Sequence, residues 1–458
     1  MAESAEQLKS HCIIFPWPIQ GHINPMLQFA KRLHHKGLKI TLLVTNYLAK
    51  TKRFPTDAIS TETYTDGYDD GIPSGIDHEE CAQRFLEVAP ASVKEAVERI
   101  IADSGDVSCI VYDSYLPWAL DVAKDLRLLA APFFTQSCAV DYLYYLTYAG
   151  DLEIPVSGER EITIPGVPPL VAGDLPSFLT GHIPFPTIFK LAVLQFQDVA
   201  KADWLIINTF YESEKELVEH MRKLSKVATI GPTVPSVYLD RRLADDGDYG
   251  LSLYKPATGA CMEWLSRRVP ASVVYVSFGS VTDLGEAQMA ELAWGLKLTG
   301  KPVLWVVRST EQRKVPEECT EGEETLIVAW CPQLDVLSHP AVGCFVSHCG
   351  WNSTLEALSL GVPVVAVPQW SDQPTNAKFV TDVWKIGVRA AAGEDGVVGR
   401  EKMKVCVEEV MVGEKGAAIR RNAAKWKELA RTAMDAGGSS DRSIDEFIAS
   451  CGAFKTVA

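Results

Sequence analysis

The chain has 458 residues, of which 47% are hydrophobic and 22% are charged. This length predicts two domains of about 200 residues each, and the composition is that of a globular protein. The formal net charge of −15 argues against a surface that attracts nucleic acid or an anionic membrane. No stretch approaches the roughly 18 apolar residues of a membrane span, and no signal peptide is evident, so we expect a cytoplasmic protein without a membrane span.

The first half of the chain alternates strand-like and helix-like segments. An apolar strand at residues 12–15 is followed by a helical stretch, which we expect to begin with Asn24 as N-cap and Pro25 at the first position. A β-branched strand at 39–45 completes a βαβ unit and implies parallel strands. Further segments of this kind are predicted as strands at 109–112 and 204–208, with a helix at 118–124 after the first of them.

A polar stretch at residues 241–254 interrupts this alternation and predicts a linker. Strands then recur at 272–277, 303–307, 326–329, 343–346 and 362–367. We therefore predict the α/β class with two doubly wound domains. The expected divisions are an N-terminal domain at 1–240, a linker at 241–254, a C-terminal domain at 255–439 and a last helical segment at 440–458. Ligands bind beyond the carboxyl ends of strands in such sheets, so the residues that follow each strand are the site candidates.

Eleven cysteines are scattered through the sequence, mostly inside apolar strand-like runs. We interpret them as reduced thiols of the core, which is typical of an intracellular protein. A zinc site could be imagined between Cys331 and Cys349, where His339 and His348 also occur, but the paired C-x-x-C spacing of such sites is lacking. We predict neither a metal site nor a cofactor.

The turn at residues 347–350 leads from a strand into a helix that Asn352 or Ser353 can cap. The free N–H groups and the positive dipole end of that helix would then lie beside His348. Gly350 would let a ligand approach the backbone closely. The turn therefore predicts a diphosphate site that needs no metal.

Several residues around this turn have both a structural and a functional interpretation. Ser353-x-x-Glu356 fits a capping box, which the spacing alone favours, but the Glu356 carboxylate could also bind ribose hydroxyls. Trp330 could belong to the core or stack on a flat base, because it follows a strand directly. Asp372 and Gln373 could bind sugar hydroxyls or form an exposed turn.

Together these residues resemble the signature box of plant family 1 UDP-dependent glycosyltransferases. The box spans residues 330–373, with Trp at its start, His-Cys-Gly-Trp-Asn-Ser in its middle and Asp-Gln at its end. The resemblance extends over the whole chain and is strongest to the subfamily that acts on salicylate-like acids, steroids and triterpenoids. It is carried outside the box by the motifs at 21–25, 111–114, 131–135, 208–210 and 276–280.

The resemblance implies the GT-B fold, in which two Rossmann-like domains face a central cleft and the last helix packs back on the N-terminal domain. The N-terminal domain would bind the acceptor and carry the catalytic base, and the C-terminal domain would bind the UDP-sugar. Glu356 would hold the ribose, which overturns the capping interpretation, and Gln373 favours glucose over galactose. The other implied UDP-sugar contacts are Trp330 and Gln333 at the nucleoside, Ser280, His348, Asn352 and Ser353 at the phosphates, and Thr135, Trp351, Asp372 and Gln373 at the sugar.

His22 is the candidate for the base that removes the proton of an acceptor hydroxyl, because histidine suits that task near neutral pH. It lies in the turn after the first strand, where a lone histidine is more often structural. Asp113 follows the strand at 109–112, where it would ordinarily be an N-cap, but beside His22 it would fix the imidazole tautomer. The family uses this pair as its catalytic dyad, so the resemblance implies these roles for both residues.

The implied reaction is inverting transfer of glucose from UDP-glucose to a small hydrophobic plant metabolite, such as a steroid, triterpenoid, phenol or carboxylic acid. Trp17, Phe134 and Tyr142 suggest an aromatic acceptor pocket, although such aromatics can equally be core. The expected partners are the UDP-sugar and the acceptor, without nucleic acid, and the protein is expected to be a monomer.

Three alternatives remain for a chain of this α/β build. A nicotinamide-dependent oxidoreductase would need a G-x-G-x-x-G motif, which is missing after the first strand and elsewhere. A nucleotide-sugar epimerase would not need an apolar acceptor pocket. A catalytically inactive nucleotide-binding module is the third, and the presence of both His22 and Asp113 argues against it.

Overall fold

The computed structural model describes residues 10–52, 59–158, 160–244, 246–247, 249–252, 254–320 and 322–454. The chain forms two compact units. The first unit consists of Met1–Val156, Gly181–Ser252 and Thr432–Ala458, and the second unit of Ser157–Thr180 and Leu253–Arg431. Each is an α/β unit built on one parallel sheet, as the sequence predicts. In the described part of the chain, no helix combines the length and the apolar character needed to cross a membrane.

The sheet of the first unit has seven parallel strands. These are β1 (Ser10–Phe15), β2 (Leu38–Thr45), β3 (Ser60–Tyr64), β4 (Val107–Asp113), β5 (Leu129–Phe134), β6 (Leu205–Ile207) and β7 (Val227–Thr229). Their order in the sheet is β3-β2-β1-β4-β5-β6-β7. Every residue of β1 and β5 is buried, because helices cover both faces of a parallel sheet of this kind.

Seven helices connect these strands in the described part of the first unit. They are α1 (Gln20–His35), α2 (Asn46–Thr51), α3 (His78–Ser104), α4 (Ala119–Asp125), α5 (Cys138–Ala149), α6 (Pro186–Leu194) and α7 (Lys215–Met221). The helices α2, α3 and α5 start at side-chain caps from Thr45, Asp77 and Ser137. These hydroxyl and carboxylate oxygens accept hydrogen bonds from otherwise unpaired first-turn N–H groups.

The start of α1 differs from the expected one. The helix begins at Gln20 and contains Pro25 in its interior, so the prediction of Asn24 as N-cap is wrong. The Asn24 amide instead makes a tertiary contact, donating from Nδ2 to the Leu251 carbonyl (3.1 Å) and accepting from the Leu251 N–H at Oδ1 (2.7 Å). Because this pair satisfies both ends of the buried amide, the side chain is not available for capping.

The second unit has a sheet of six parallel strands. These are β8 (Val273–Ser277), β9 (Val303–Val306), β10 (Thr325–Val328), β11 (Val342–Ser347), β12 (Val364–Ala366) and β13 (Gly387–Arg389), in the order β10-β9-β8-β11-β12-β13. The connecting helices are α8 (Thr258–Ser266), α9 (Glu286–Leu298), α10 (Gln333–Ser338), α11 (Trp351–Leu360), α12 (Gln373–Lys378), α13 (Arg400–Met411) and α14 (Gly413–Met434). One face of the sheet packs on α9 and α13 through apolar residues such as Leu292, Val346 and Val407.

The last helix, α15 (Ser439–Phe454), belongs to the first unit and packs against β4 and β7. Its Phe447 ring lies 5.9 Å from the Phe29 ring and 6.1 Å from the Trp204 ring. Buried aromatic contacts of this kind explain why the helix completes the first unit although it is far from it in sequence. Residues 455–458, which the prediction included in this segment, lie outside the described residues.

The chain divides between the units differently from the predicted boundaries. Residues 241–252 are part of the first unit and not a linker, because Lys31 pairs with Asp246 (2.8 Å) and Leu251 pairs with Asn24. The segment Ser157–Thr180 belongs to the second unit, and the return to the first unit begins at Thr432 instead of residue 440. Positions 245, 248 and 253 of the predicted linker lie outside the described residues.

Candidate active site

Both sheets reverse their strand order once, and the candidate residues follow the strands at those reversals. In the first sheet the reversal lies between β1 and β4, and in the second between β8 and β11. At such a switch point the connections from two neighbouring strands diverge and leave a crevice at the carboxyl edge, where ligands bind. The register pairs Phe15 with Tyr112 in the first sheet and Ser277 with Ser347 in the second.

His22 and Asp113 form a hydrogen-bonded pair at the switch point of the first sheet. His22 Nδ1 lies 2.6 Å from Asp113 Oδ2. Asp113 is completely buried and also accepts from the backbone N–H groups of Tyr115 (3.0 Å) and Trp17 (3.4 Å). These bonds fix the carboxylate, which in turn assigns the proton of the imidazole to Nδ1 and leaves Nε2 as the basic nitrogen. The His22 side chain is 16% exposed and so can meet a ligand.

The local setting of this pair differs from the expected one in two respects. His22 lies in the first turn of α1 and not in a loop, because the helix begins earlier than Asn24. Asp113 is the last residue of β4, and α4 has Trp118 at its N-cap, so Asp113 caps no helix. The structure thus removes the capping alternative for Asp113.

Thr135 and Tyr115 contact His22, and Gln136 follows Thr135 in the sequence. Thr135 follows β5 directly, and its Oγ1 lies 3.4 Å from His22 Nδ1. The Tyr115 ring makes an edge contact with the imidazole at 5.4 Å between centroids. Gln136 is 9% exposed, and its Oε1 has no hydrogen-bond partner among the described residues. The sequence analysis missed Tyr115 and Gln136; their positions just after β4 and β5 were the available signal.

Of the three residues predicted to line an aromatic acceptor pocket, Trp17 and Phe134 are buried and Tyr142 is partly exposed. Phe134 is completely buried against Phe196 (5.5 Å between centroids), and Trp17 is 7% exposed and packs on Phe85 (4.7 Å). Both are core side chains, because each ring is buried against another aromatic ring. Tyr142 is partly exposed on α5, where it packs on two neighbouring rings, those of Tyr145 and His220.

In the second unit, a tight turn connects β11 to α11. Gly350 is the N-cap of α11 and the helix starts at Trp351, so neither Asn352 nor Ser353 caps it. Cys349 adopts a left-handed conformation with φ of 64°, and its N–H donates to Ser347 Oγ at 3.1 Å. With no capping side chain, the positive end of the α11 dipole is directed at the turn, as a diphosphate site requires.

His348 occupies a space that two glycines leave open. A Cβ atom on Gly350 would lie 2.7 Å from His348 Nε2, and one on Gly279, whose φ is 73°, would lie 3.0 Å from the same atom. Burial lowers the pKa of His348 to about 4, so the ring is neutral near pH 7. It can therefore offer a ligand a hydrogen bond but no positive charge.

Ser280 lies in the loop that follows β8. Arg308 holds this loop by donating from Nη1 to the Ser280 carbonyl (2.9 Å) and from Nη2 to the Thr282 carbonyl (2.8 Å). The sequence analysis did not identify Arg308, although it lies just beyond β9 at the carboxyl edge. Because both Nη atoms donate to backbone carbonyls, the guanidinium shapes the loop around Ser280.

The region that would bind the nucleoside centres on Gln333 and Glu356. Gln333 is the first residue of α10, and its Nε2 donates to Glu356 Oε2 (2.6 Å) and to Ser353 Oγ (3.1 Å). Tyr275 OH donates to Gln333 Oε1 at 2.8 Å and fixes the orientation of the amide. Glu356 lies beyond the first turn of α11 and caps nothing, so the capping-box interpretation is wrong.

Trp330 flanks this region two residues after the end of β10. Its side chain is partly exposed, and its ring lies 5.0 Å from the Tyr254 ring at an angle of 48°. The Trp330 carbonyl accepts from the Ala257 N–H at 2.9 Å, which connects the segment before α8 to the backbone of Trp330. A partly exposed indole is a side chain on which a planar base can stack.

Asp372 directly precedes α12, and Gln373 is the first residue of that helix. Asn376 Nδ2 donates to Asp372 Oδ2 (2.7 Å) and to the Cys349 carbonyl (3.0 Å), which ties this turn to the start of α11. Burial raises the pKa of Asp372 to about 6. Gln373 Oε1 accepts from the N–H groups of Gln369 (2.8 Å) and Trp370 (3.1 Å).

Trp351, a predicted sugar contact, has a buried indole. That ring is 4% exposed and lies 6.2 Å from the Trp384 ring in the core of the second unit. The backbone N–H of Trp351 donates to the Asp372 carboxylate.

The cysteines of the described residues are all free, and ten of the eleven are buried. Cys331 contacts Tyr275 OH through its sulfur at 3.2 Å. Among the residues with described positions, no three His, Cys, Asp or Glu side chains are grouped so that they could hold a metal ion.

The chain is similar in sequence and in fold to several known proteins. The family model described as UDP-glucoronosyl and UDP-glucosyl transferase matches residues 233–420. UDP-glycosyltransferase 74E2 of Arabidopsis thaliana is 48% identical over 449 residues, which cover 96% of this chain and 98% of that protein. Mogroside I-E synthase of Siraitia grosvenorii is 43% identical over 450 residues, 97% of this chain and 98% of that protein. The crystal structure of Os79 from O. sativa in complex with UDP superposes with a TM-score of 0.90 at 38% identity, covering 96% of this chain and 100% of that one.

Proposed function

The chain belongs to the plant family 1 UDP-glycosyltransferases, and from this premise we propose that it transfers glucose from UDP-glucose to a small hydrophobic plant metabolite with inversion at the anomeric carbon. Its two parallel-sheet units are those of the GT-B fold. The observation that carries the proposal is the 2.6 Å contact between His22 Nδ1 and Asp113 Oδ2. The oxidoreductase and epimerase alternatives are not favoured, since the similar proteins are named as transferases.

His22 acts as the general base in this proposal. With Nδ1 bound to the Asp113 carboxylate, Nε2 removes the proton of the acceptor hydroxyl while that oxygen attacks. Asp113 then stabilises the imidazolium that forms, because its buried carboxylate is held by two backbone N–H groups and cannot turn away. For an acidic acceptor the proton is already lost near neutral pH, so His22 contributes less.

The transfer is a single displacement. The acceptor oxygen forms a bond to the anomeric carbon, and the bond from that carbon to the β-phosphate oxygen breaks, so that UDP leaves with the electron pair. Attack from the face opposite UDP converts the α-linked donor to a β-glucoside or a β-glucose ester. No covalent intermediate with the protein is required.

The donor contacts are assigned from the second unit. The start of α11 and the neutral His348 ring would bind the diphosphate, together with Ser280, Asn352 and Ser353. Glu356, aligned by Gln333, would accept hydrogen bonds from the ribose, and Trp330 would stack on the uracil. No metal is needed in this arrangement, because the helix terminus supplies the N–H groups and the positive potential.

In the second unit, Asp372 and Gln373 would hold the sugar, and Thr135 of the first unit stays a predicted sugar contact. Because Gln373 Oε1 is engaged by two backbone N–H groups, its amide nitrogen is the end that would donate to a sugar hydroxyl. The choice of glucose rests on the family preference that accompanies glutamine at this position. The family also supports an acceptor among steroids, triterpenoids, phenols and carboxylic acids.

Location and assembly complete the proposal. Eleven free cysteines, ten of them buried, suit a compartment that keeps thiols reduced, so we place the enzyme in the cytoplasm. The reaction needs one UDP-sugar and one acceptor for each chain, and we propose that the protein works as a monomer.

A direct test incubates the purified protein with one donor at a time and a panel of a phenol, a carboxylic acid, a steroid and a triterpenoid. We expect mass spectrometry to detect a hexose conjugate with UDP-glucose for at least one acceptor, and less product with UDP-galactose. Equal use of both donors would contradict the assignment of glucose. The absence of any conjugate while UDP binds would contradict transfer to these acceptor classes.

A further inference from the structure

The segment Ser157–Thr180 packs on the turn that carries the candidate sugar-binding residues. This turn comprises Gln369–Gln373 and is called the sugar turn below. Within the second unit, Phe178 lies 6.2 Å from the Trp370 ring, measured between centroids. The segment comes from the first half of the sequence, so its contact with the signature box is a consequence of the tertiary structure.

Two reciprocal hydrogen bonds connect Ser177 and Ser371. The Ser177 N–H donates to the Ser371 carbonyl at 2.9 Å, and the Ser371 N–H donates to Ser177 Oγ at 2.8 Å. Ser371 has a φ of 58°, a left-handed conformation that is unfavourable for a residue with a Cβ atom. Both bonds end on the backbone of Ser371, so they hold that conformation in place.

Asp174 holds the other end of the sugar turn. Its carboxylate pairs with Arg389 Nη1 (3.0 Å) and Lys378 Nζ (3.3 Å). Its carbonyl accepts from Thr375 Oγ1 at 2.8 Å, inside the helix α12 that begins with Gln373. The segment therefore contacts the backbone just before Asp372 and the helix just after it.

We propose that Ser177 and Asp174 are positioning residues for the sugar of the donor. This inference rests on the proposed function, since it takes Asp372 and Gln373 as the residues that bind the sugar. A change in the backbone of Ser371 would redirect the Asp372 carboxylate, because the two residues are adjacent. Neither Ser177 nor Asp174 belongs to the signature box, so part of the donor specificity is set outside it.

The nucleoside region has a separate support. Gln333 is held by Tyr275 on β8 and by Ser353 on α11, and it donates in turn to Glu356. Loss of the Ser177 hydroxyl should therefore weaken the binding of the sugar and leave the binding of UDP nearly unchanged. A general loss of folding would weaken both.

The test compares Ser177→Ala with wild type by calorimetric titration of UDP and of UDP-glucose. We expect the affinity for UDP-glucose to fall about five- to tenfold, the effect of one lost hydrogen bond, while that for UDP changes less than about twofold. Ser177→Thr keeps the hydroxyl and should restore most of the affinity. Thr180→Val is the matched control. It also removes a hydroxyl of the segment, but the hydrogen bond of that hydroxyl goes to the Ser177 carbonyl (2.9 Å) and not to the sugar turn.

Asp174→Asn provides a second variant, and we expect it to raise the KM for UDP-glucose while the melting temperature stays within a few degrees. Unchanged UDP-glucose affinity in Ser177→Ala, or an equal loss for UDP and UDP-glucose, would overturn the proposal. A wild-type protein that binds UDP but neither binds nor uses UDP-glucose would contradict the proposed function itself. The positioning proposal, which rests on that function, would then be overturned with it.

Discussion

His22 Nδ1 lies 2.6 Å from Asp113 Oδ2, although the two residues are 91 positions apart in the sequence. The pairing of β1 with β4 creates this contact, since each residue lies close to the carboxyl end of its strand at the switch point of the sheet. A buried carboxylate that faces a partly exposed imidazole is an arrangement suited to general base catalysis.

Replacement of the base tests this arrangement first. His22→Ala should lower kcat/KM for an alcohol or phenol acceptor by about 10²–10⁴-fold, because no other group would take the proton. The Kd for UDP should stay the same, as measured by calorimetry. His35→Ala is the matched control, since His35 is exposed at the other end of α1. Turnover of a phenol by His22→Ala at the wild-type rate would remove His22 as the base.

Replacement of Glu356 distinguishes a ligand-binding role from a structural one. Glu356→Gln keeps an oxygen that can accept the hydrogen bond from Gln333 but removes the negative charge. We expect UDP-glucose to bind about tenfold more weakly, as for the loss of a charge-assisted hydrogen bond. The melting temperature, followed by circular dichroism, should change little. A large drop in melting temperature with normal affinity would instead make Glu356 a structural residue.

The pH dependence of donor binding should report on Asp372. Burial raises the pKa of this carboxyl to about 6 in the free protein. In the proposed complex sugar hydroxyls donate to the carboxylate form, so we expect the affinity to be complete above this pH and to decline as the pH falls through 6. His348 stays neutral in this range, since burial lowers its pKa to about 4.

Calorimetric titration of UDP-glucose from about pH 7.5 to 5 should therefore show a loss of affinity as the pH falls. This loss should approach, at most, tenfold per pH unit. Asp372→Asn should bind more weakly at neutral pH and lose most of this dependence. An identical pH profile in the wild type and in Asp372→Asn would exclude the carboxylate as the titrating group.

Removal of metal ions tests the account of the diphosphate site. If the start of α11 supplies the positive potential, excess EDTA should leave the rate of transfer unchanged. The rate is measured before and after dialysis against the chelator, with re-addition of Mg²⁺ or Mn²⁺ as the control. A strict requirement for a divalent cation would contradict the account.

Repetition of local patterns made much of the fold predictable. The alternation of apolar strands with amphipathic helices yields the two parallel sheets, and parallel strands bring residues at their carboxyl ends to one edge. This is why the proximity of His22 to Asp113 could be anticipated from two short motifs. The observed register supplies the physical reason, because Phe15 pairs with Tyr112.

Features that depend on contacts distant in sequence were not predictable. Asn24 next to Pro25 is typical of a helix start, but the Asn24 amide pairs with Leu251, and α1 begins earlier. Phe134 is an aromatic residue near the site, yet its ring packs on Phe196 in the core. The segment Ser157–Thr180 was assigned to the first domain by its position in the sequence, although its partners lie in the second unit.

The same limit applies to the candidate site. Arg308 and Tyr275 hold the loop and the amide that would meet the donor, but nothing in their sequence surroundings distinguishes them from other strand-end residues. Their roles follow from the partners that the tertiary structure gives them.

The stereochemistry of the product tests the central claim most directly. The purified protein is incubated with UDP-glucose and an acceptor that it conjugates, and the anomeric configuration of the product is read by proton NMR. The account predicts a β-linked glucose with release of one UDP for each product molecule. An α-linked product would contradict the single displacement, and transfer that continues unchanged in His22→Ala would contradict its base.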